Sequence, residues 1–358
     1  MMMERLFQLM KEKNASDMFF AVNSPVHIKI NGNLIPINQN KLEPENIQVL
    51  LAEIASSEQM AELERTNELN MGISVPNLGR FRLSAFRQRG SISAVFRFVP
   101  ASIPPLDELG LPPVLSELIM EKRGLLLIVG ATGSGKSTTI ASMLDHRNEQ
   151  RSGHILTLED PIEYLFKNKK SIVNQREIGS DAASFDIALR NSMRQAPDCI
   201  LIGEIRDKDT MAAALAYAQS GHLVLATLHT NDAASAVTRL LDMGIEPFLL
   251  SSSLLGVMAQ RLVRKLCSYC KVQEGPGQWR AVGCERCGHT GYHGRVGVYE
   301  LLETNEQIRA QIHNQVSEAE IRDAALRSGM RTMHDDGERW VREGVTTEAE
   351  LLRVTKAA

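Results

Sequence analysis

Eight consecutive residues, Gly130-Ala131-Thr132-Gly133-Ser134-Gly135-Lys136-Ser137, carry the spacing of a phosphate-binding loop. Glycines at those positions let backbone N–H groups curl around a β-phosphate. Lys136 offers a point charge to the β- and γ-phosphates, and the Ser137 hydroxyl can ligate Mg²⁺. Thr138 continues the same contact surface. An apolar strand, Gly124 to Val129, leads in, and a helix, Lys136 to Arg147, leads out. Motif and context together argue against a chance glycine-rich turn. The implied ligand is a nucleoside triphosphate with its Mg²⁺, and ATP is expected.

Such a loop needs acidic partners. Cys199-Ile-Leu-Ile-Gly203-Glu204 is an apolar strand ending in a carboxylate. Strand ends in such sheets converge on the ligand crevice, so Glu204 is placed to hold Mg²⁺ through water beside Ser137. Glu159-Asp160-Pro161-Ile162-Glu163 ends another apolar strand. One of its three carboxylates suits a base that orients or activates water. The alternative is a solvated acidic turn, and chemistry alone does not choose among the three. His222 and His229 bracket the apolar run Leu223 to Thr227. Either can donate a hydrogen bond to a γ-phosphate, or both can be structural, and the residues leave this open.

Cys267-x-x-Cys270 and Cys284-x-x-Cys287 form two pairs separated by thirteen residues. Four thiolates at that spacing can close a tetrahedral site around Zn²⁺, and with no open position such a metal is structural. The alternative is two free dithiols. The fifth cysteine, Cys199, lies in an apolar strand as a core residue. Around the pairs, Arg261, Arg264, Lys265, Lys271, Arg280, Arg286 and Arg295 are faced in the sequence only by Glu274 and Glu285. A basic knuckle suits nucleic acid or an acidic protein. Sparse aromatics there and a formal net charge of -3 weigh against nucleic acid, and no such partner is expected.

Positioning these groups requires a parallel sheet. Runs at Gly124–Val129, His154–Leu158, Cys199–Ile202 and Leu223–Thr227 read as strands. They alternate with helices at Lys136–Arg147, Phe185–Arg194 and Asp209–Gln219, which is the order of an α/β fold. From Ala233 onward helices are expected to dominate, interrupted by the cysteine segment. The first 99 residues read as a small α+β domain. It has a helix at Glu4–Lys13, a hairpin in which Val26–Ile30 and Asn33–Ile37 flank Asn31-Gly32, and a helical stretch over 45–65. Two alternating strands follow, Arg80–Phe86 and Ser91–Phe98. Phe81, Leu83, Ala85, Ile92, Ala94, Phe96 and Phe98 would be covered, and Arg80, Arg82 and Arg97 would stand on the other face. Five of the 13 prolines fall between Pro100 and Pro113, which marks a linker. The expected division is 1–99, a linker at 100–113, an ATPase core at 114–260, a zinc-binding segment at 261–297 and a helical region at 298–358.

The chain has 358 residues, 43% hydrophobic and 23% charged, which excludes wholesale disorder. At ~150 residues per domain it holds two or three domains. Apolar runs such as Leu125 to Val129 are far short of the ~20 residues of a membrane helix. Met1 to Lys13 carries charges of both signs and no apolar stretch, so no secretory signal is expected. Cysteine pairs of this kind in a reducing compartment read as metal ligands, and a cytoplasmic location is expected.

The order of phosphate loop, Glu159-Asp-Pro-Ile-Glu163, Ile202-Gly-Glu-Ile-Arg-Asp207 and Gly221-His-Leu-Val-Leu-Ala-Thr-Leu-His-Thr230 resembles the secretion-superfamily ATPases, the motors of type IV pili and type II secretion. That family names the four segments Walker A, Asp box, Walker B and His box. The resemblance implies an N-terminal PAS-like domain joined by a linker to a RecA-like ATPase domain, assembled as a homohexamer. It implies that Glu163 polarises the attacking water, that Glu204 aids Mg²⁺ and catalysis, and that His222 and His229 bound the His box. Arginines of the N-terminal sheet reach the γ-phosphate in this family, and Arg82 and Arg97 match them. Such an arginine can be worth ~10³–10⁵ in rate.

Residues 1 to about 220 resemble the retraction motors, the PilT/PilU group, as in Lys169-Lys-Ser-Ile-Val-Asn-Gln-Arg-Glu177. From about Val237 the chain resembles the secretion motors, the GspE group. The matching segments are Asp242-Met-Gly-Ile-Glu-Pro-Phe248, the four cysteines, and Asp335-Asp-Gly337 with Arg353-Val-Thr-Lys356. The implied function is a cytoplasmic Mg²⁺-dependent ATPase that drives pilus retraction. It would lie peripheral to the inner membrane through a platform protein there, with the proline-rich linker as hinge. Pilus extension or type II secretion is one alternative. An accessory ring subunit that supports a paralogous motor is another.

Overall fold

Seven of the ten phenylalanines fall within the first 99 residues. In the computed structural model, Phe7, Phe20, Phe81 and Phe96 are the buried centre of a separate small unit. The structure describes residues 2–30, 33–99, 102–275 and 277–356. One unit comprises Met1–Ser102 with Pro161–Leu165, and the other Ile103–Asp160 with Phe166–Ala358.

The first unit begins with α1 (Met2–Glu12), whose Met3, Leu6, Phe7 and Met10 lie on one buried stripe. Then come β1 (Asp17–Phe20), β2 (His27–Ile30), β3 (Asn33–Pro36), α2 (Pro44–Ala52), α3 (Ser57–Thr66), β4 (Glu68–Val75), β5 (Gly79–Gln88) and β6 (Ser91–Val99). The strands form one antiparallel sheet in the order β3-β2-β1-β6-β5-β4. Alternation sends Phe81, Leu83, Ala85, Ile92, Ala94 and Phe96 into the core. Phe7 of α1 stacks on Phe81 with ring centres 4.1 Å apart and meets Phe96 edge-on at 5.6 Å. The Asn31-Gly32 turn lies outside the described residues, and Ile30 pairs with Asn33 on either side of it. The helical stretch over 45–65 is two helices. Ser56 ends the first by opening the second, accepting from the Gln59 N–H in a capping box. Strands β1 and β4 were not anticipated, because β1 is only four residues long and β4 mixes buried and exposed positions without strict alternation.

The second unit holds α4 (Leu115–Leu118), β7 (Gly124–Val129), α5 (Lys136–Gln150), β8 (Gly153–Glu159), β9 (Ser171–Glu177), α6 (Phe185–Ser192), β10 (Cys199–Ile202), α7 (Lys208–Gln219), β11 (Leu223–Leu228), α8 (Ala233–Asp242) and α9 (Pro247–Ser253). After them come β12 (Leu254–Leu266), β13 (Val272–Gly275), β14 (Gln278–Arg280), β15 (Tyr292–Glu303), α10 (Glu306–His313), α11 (Glu318–Arg327), α12 (Met333–Arg342) and α13 (Glu348–Thr355). The large sheet runs β15-β12-β7-β11-β10-β8-β9, parallel except for β15. Every residue of β7, β10 and β11 is buried. Successive side chains enter opposite cores. Leu125, Leu127 and Val129 join the core that contains α6 to α13 residues, while Leu126 and Ile128 join the core against α4 and α5.

The expectation of fading strands after Ala233 is corrected here. β12 and β15 are 13 and 12 residues long and pair antiparallel. The first half of β12 is buried on both faces, so Leu254-Leu-Gly-Val-Met-Ala-Gln260 shows no period of two and reads as helix. The expected cysteine segment thus begins and ends inside strands. The proline-dense stretch from Ile103 packs on the second unit. Ser142 Oγ donates to the Pro104 carbonyl at 2.5 Å, Tyr299 OH to Leu109 O at 2.9 Å and Arg339 Nη2 to Gly110 O at 2.6 Å.

The C-terminal helices are fastened by a charge the sequence pattern does not reveal. The Glu350 side chain is 1% exposed and accepts from Arg264 at 2.7 and 3.0 Å and from Arg353 at 2.7 and 2.8 Å. Burial alone would raise this carboxyl, but the two guanidinium groups hold it down at about 2. Its folded pKa lies below its ordinary 4.5, so its stabilisation is complete above that pH and is lost as pH falls toward about 2. Glu350→Gln is expected to lower unfolding free energy by about 2 kcal/mol at neutral pH. The loss should shrink steadily below pH 4.5 in denaturant melts, and a pH-independent loss would refute the assignment.

Candidate nucleotide-binding site

The loop after β7 is shaped by conformations that other residues resist. Gly130, Gly133 and Gly135 have φ of 146°, 80° and 91°. A Cβ on Gly130 would stand 2.5 Å from the Gln260 carbonyl oxygen and 2.7 Å from Ser134 Oγ. Helix α5 starts at Lys136 behind Gly135 with no side-chain cap, so its first N–H groups and its dipole face an anion site. Lys136 is buried, and its Nζ donates to the carbonyls of Gly130 at 2.7 Å and Ala131 at 3.1 Å. Ala131, Thr132 and Gly133 form an exposed tip, Ser134 is buried, and Ser137 and Thr138 are half-buried in the first helical turn.

Gln260 of β12 buckles this loop to the helix. Its Nε2 donates to Ser134 O at 2.9 Å and its Oε1 accepts from Thr139 Oγ1 at 2.8 Å, all buried. Sequence reasoning missed it, and its only signal was a lone polar residue in an apolar run.

Strands β7, β11, β10 and β8 are consecutive and parallel. The segments leaving their carboxyl ends therefore share one edge of the sheet. The Gly130 N–H donates to Leu228 O at 3.3 Å, Ile205 N–H to Thr227 O at 2.9 Å, and Thr227 Oγ1 to Gly203 O at 2.5 Å. Glu204 sits on this edge with its carboxylate ion-paired to Arg206 and with His229 Nε2 at 3.5 Å. Arg206 was not singled out from the sequence. Glu159 turns inward, accepting from Thr157 Oγ1 at 2.6 Å and Gln175 Nε2 at 3.2 Å.

His222 lies at the opposite end of β11. Its backbone carbonyl accepts from the Gly124 N–H at the start of β7, and its Nδ1 lies 3.0 Å from Ser220 Oγ and 3.2 Å from Tyr217 O. Six residues at ~3.3 Å each put it about 20 Å from the phosphate-loop edge. Of the two histidines, whose roles the residues leave open, His229 lies on that edge within the chain and His222 on the opposite one.

In the first unit the arginines face one another. Arg82 of β5 and Arg97 of β6 are directly opposite in register. Arg82 Nη1 lies 3.8 Å from Glu163 Oε1, and Arg97 Nε donates to Asp17 Oδ1 at 2.8 Å. Glu163 of the Glu159–Glu163 segment is thus brought to an arginine of this unit.

The sulfurs of Cys267, Cys270, Cys284 and Cys287 all lie within 4.8 Å of one another. Cys267–Cys284, Cys270–Cys287 and Cys284–Cys287 are separated by 3.8, 3.9 and 3.8 Å. A zinc–sulfur bond of ~2.3 Å gives a tetrahedron with edges of ~3.8 Å. The N–H groups of Gly283, Cys284 and Gly291 point at Cys270 and Cys287 sulfurs at 3.2–3.3 Å, as suits thiolates. Burial would raise the Cys287 thiol, but the N–H groups of Cys284 and Gly291 together with the neighbouring Cys284 and Cys270 sulfurs hold it down at about 6, while burial pushes Cys270 up to about 11. The four residues can hold a structural metal. Much of the surrounding basic charge is internally engaged: Arg264 by Glu350, Arg280 by Glu274, Lys271 over the Trp279 ring and Arg286 over the Tyr269 ring.

Residues 1–353 match the family described as Type II/IV secretion system protein. The type II secretion system protein HxcR of Pseudomonas aeruginosa is 51% identical over 257 residues, covering 71% of this chain and 54% of HxcR. The type IV pilus ATPase PilU of the same organism is 43% identical over 266 residues, covering 73% of this chain and 70% of PilU. The chain therefore spans about half the length of HxcR and more of PilU. A crystal structure of the pilus retraction motor PilT with bound ADP is similar at a TM-score of 0.83 and 36% identity, covering 98% of this chain and 96% of that one. Among the described residues no helix is long and apolar enough to cross a membrane.

Gln260→Leu is expected to keep the apolar bulk of the residue while stranding the Thr139 hydroxyl and the Ser134 carbonyl. Each broken buried hydrogen bond costs ~1 kcal/mol or more, so nucleotide affinity should fall ~10-fold in a fluorescent-nucleotide titration. Unchanged affinity would remove Gln260 from the site.

Proposed function

The chain belongs to the type II/IV secretion system protein family, and on that premise we propose that it is an ATP-hydrolysing motor of a type IV pilus, with retraction the favoured direction of work. The observation that carries this is the shared sheet edge: a glycine-shaped loop on an uncapped helix, with Glu204 and His229 beside it. The likeness to a retraction motor with bound ADP supports the direction. Extension or type II secretion is the second reading, supported by 51% identity to a type II secretion protein. An accessory role beside a paralogous motor is supported by the likeness to PilU.

In this reading the first unit is the PAS-like domain and the second the RecA-like domain. Six chains form the ring, which works from the cytoplasmic side on an inner-membrane platform protein. Lys136 and the N–H groups of the loop and of α5 hold the phosphates. The Ser137 hydroxyl and, through water, Glu204 would hold Mg²⁺, whose charge offsets that of the phosphates. Glu163 orients a water toward the γ-phosphorus and draws off its proton. The water oxygen bonds to phosphorus as the bond to the bridging oxygen breaks, and ADP carries away that electron pair. His229 donates a hydrogen bond to the γ-phosphate, and Arg82 and Arg97 offset its charge. The four cysteines hold Zn²⁺ as a structural ion that closes the free end of the β12–β15 ribbon.

Glu163→Gln is expected to bind ATP with near wild-type affinity and to hydrolyse it ~100-fold more slowly. In the native host, fluorescent pilin labelling of cells carrying this variant should show excess pili that no longer shorten. Bald cells or lost secretion would favour the second reading, and wild-type turnover would refute the catalytic assignment. The purified chain should carry one zinc per molecule by plasma mass spectrometry, and Cys284→Ser should lose it along with thermal stability. Four freely titrating thiols and no zinc would instead mean two dithiols.

A further inference from the structure

One row of the first unit's sheet carries charge in register across four strands. Lys29 of β2 pairs with Asp17 of β1, Asp17 with Arg97 of β6, and Arg97 with Arg82 of β5. Side chains directly opposite one another share a face, and like charges so placed repel. Two arginines side by side would therefore splay apart unless something holds them.

Asp17 is the residue that does so for Arg97. Its side chain is 7% exposed, whereas that of Arg97 is 64% exposed. Both Asp17 oxygens are committed: Oδ1 accepts from Arg97 Nε at 2.8 Å and Oδ2 from Ser16 Oγ at 2.8 Å. A buried carboxylate fixed at two points cannot follow a mobile arginine, so the arginine must follow it. The contact uses only Nε. The two terminal nitrogens of Arg97, with four N–H groups in one plane, find no partner among the described residues. That is the fork that grips two oxygens of a phosphate at once. An unrestrained arginine loses rotamer freedom when it binds, and one already pinned at Nε loses less.

We propose that Asp17 is a positioning residue for ATP hydrolysis: it fixes the Arg97 guanidinium so that its terminal nitrogens are presented as a preset fork to the γ-phosphate as charge develops there. This rests on the reading of Arg97 as a phosphate-facing arginine. Asp17 is itself buried, with both oxygens turned to Arg97 and Ser16. Its effect passes through Arg97 and falls on turnover more than on ground-state binding, because the fork is needed most where the charge is greatest.

The test is a double-mutant cycle in steady-state ATPase assays on the assembled full chain, with Arg97→Ala, Asp17→Ala, both together, and Asp17→Asn. Asp17→Ala should lower kcat ~10- to 100-fold, as misplacement of a charged group does, while KM for ATP changes less than about twofold. In the Arg97→Ala background Asp17→Ala should cost less than about a further twofold, since there is nothing left to position. Asp17→Asn keeps an acceptor of the same size and should fall between wild type and Asp17→Ala. It also serves as the readout if the alanine variant fails to fold. Full turnover in Asp17→Asn and Asp17→Ala, with Arg97→Ala impaired, would overturn the positioning role and leave Arg97 in place. Multiplying losses in the double variant would overturn it too, by showing that Asp17 acts without Arg97. Wild-type turnover in Arg97→Ala would instead overturn the reading on which the inference rests.

Discussion

Strands β7, β10 and β11 are buried on both faces, and a strand so buried is stable only where helices cover it above and below. That demand sets the connections. β7, β10 and β11 are each followed by a helix that returns across one face, so the loops that leave their carboxyl ends open onto the same edge. The phosphate loop, Glu204 and His229 are neighbours because β7, β11 and β10 are neighbours. His222 belongs to the same short motif as His229, and the same geometry removes it to the far edge.

One strand links the two chemistries of the second unit. β12 carries Gln260, which locks the phosphate loop to α5, and seven residues later the chain reaches Cys267, the first sulfur of the cysteine cluster. Pairing with β15 stiffens everything between. At its far end β12 is clamped by Arg264 to the buried Glu350 and by the Leu266 N–H to the Val345 carbonyl at 2.7 Å. A metal in the cysteine cluster would close a ribbon whose middle already holds the nucleotide loop in shape.

The first unit solves a different problem. Its core is aromatic and packed on one face of an antiparallel sheet, which leaves the opposite face to polar groups. Placing two arginines in register on that face costs repulsion, and Glu163 and Asp17 offset it from either side. The charge is thereby concentrated and still held in defined places.

Local chemistry made much of this legible in the chain itself. Glycines with a lysine and serine at fixed spacing, apolar runs ending in acids, alternating strands and two Cys-x-x-Cys pairs are patterns a few residues long, and short patterns survive in sequence because neighbours along the chain fix them. Four things were decided only in three dimensions. Gln260 reaches the loop from a strand more than a hundred residues away. Glu350 neutralises arginines whose own neighbourhood offers few acids. Asp17 meets Arg97 across a sheet. β12, buried on both faces, loses the alternation that marks a strand. The sequence by itself determined which chemistry the chain can do, since side-chain type and spacing are covalent facts. The tertiary structure decided which side chains hold that chemistry in place, since a buried hydrogen bond or ion pair depends on distance in space and not along the chain.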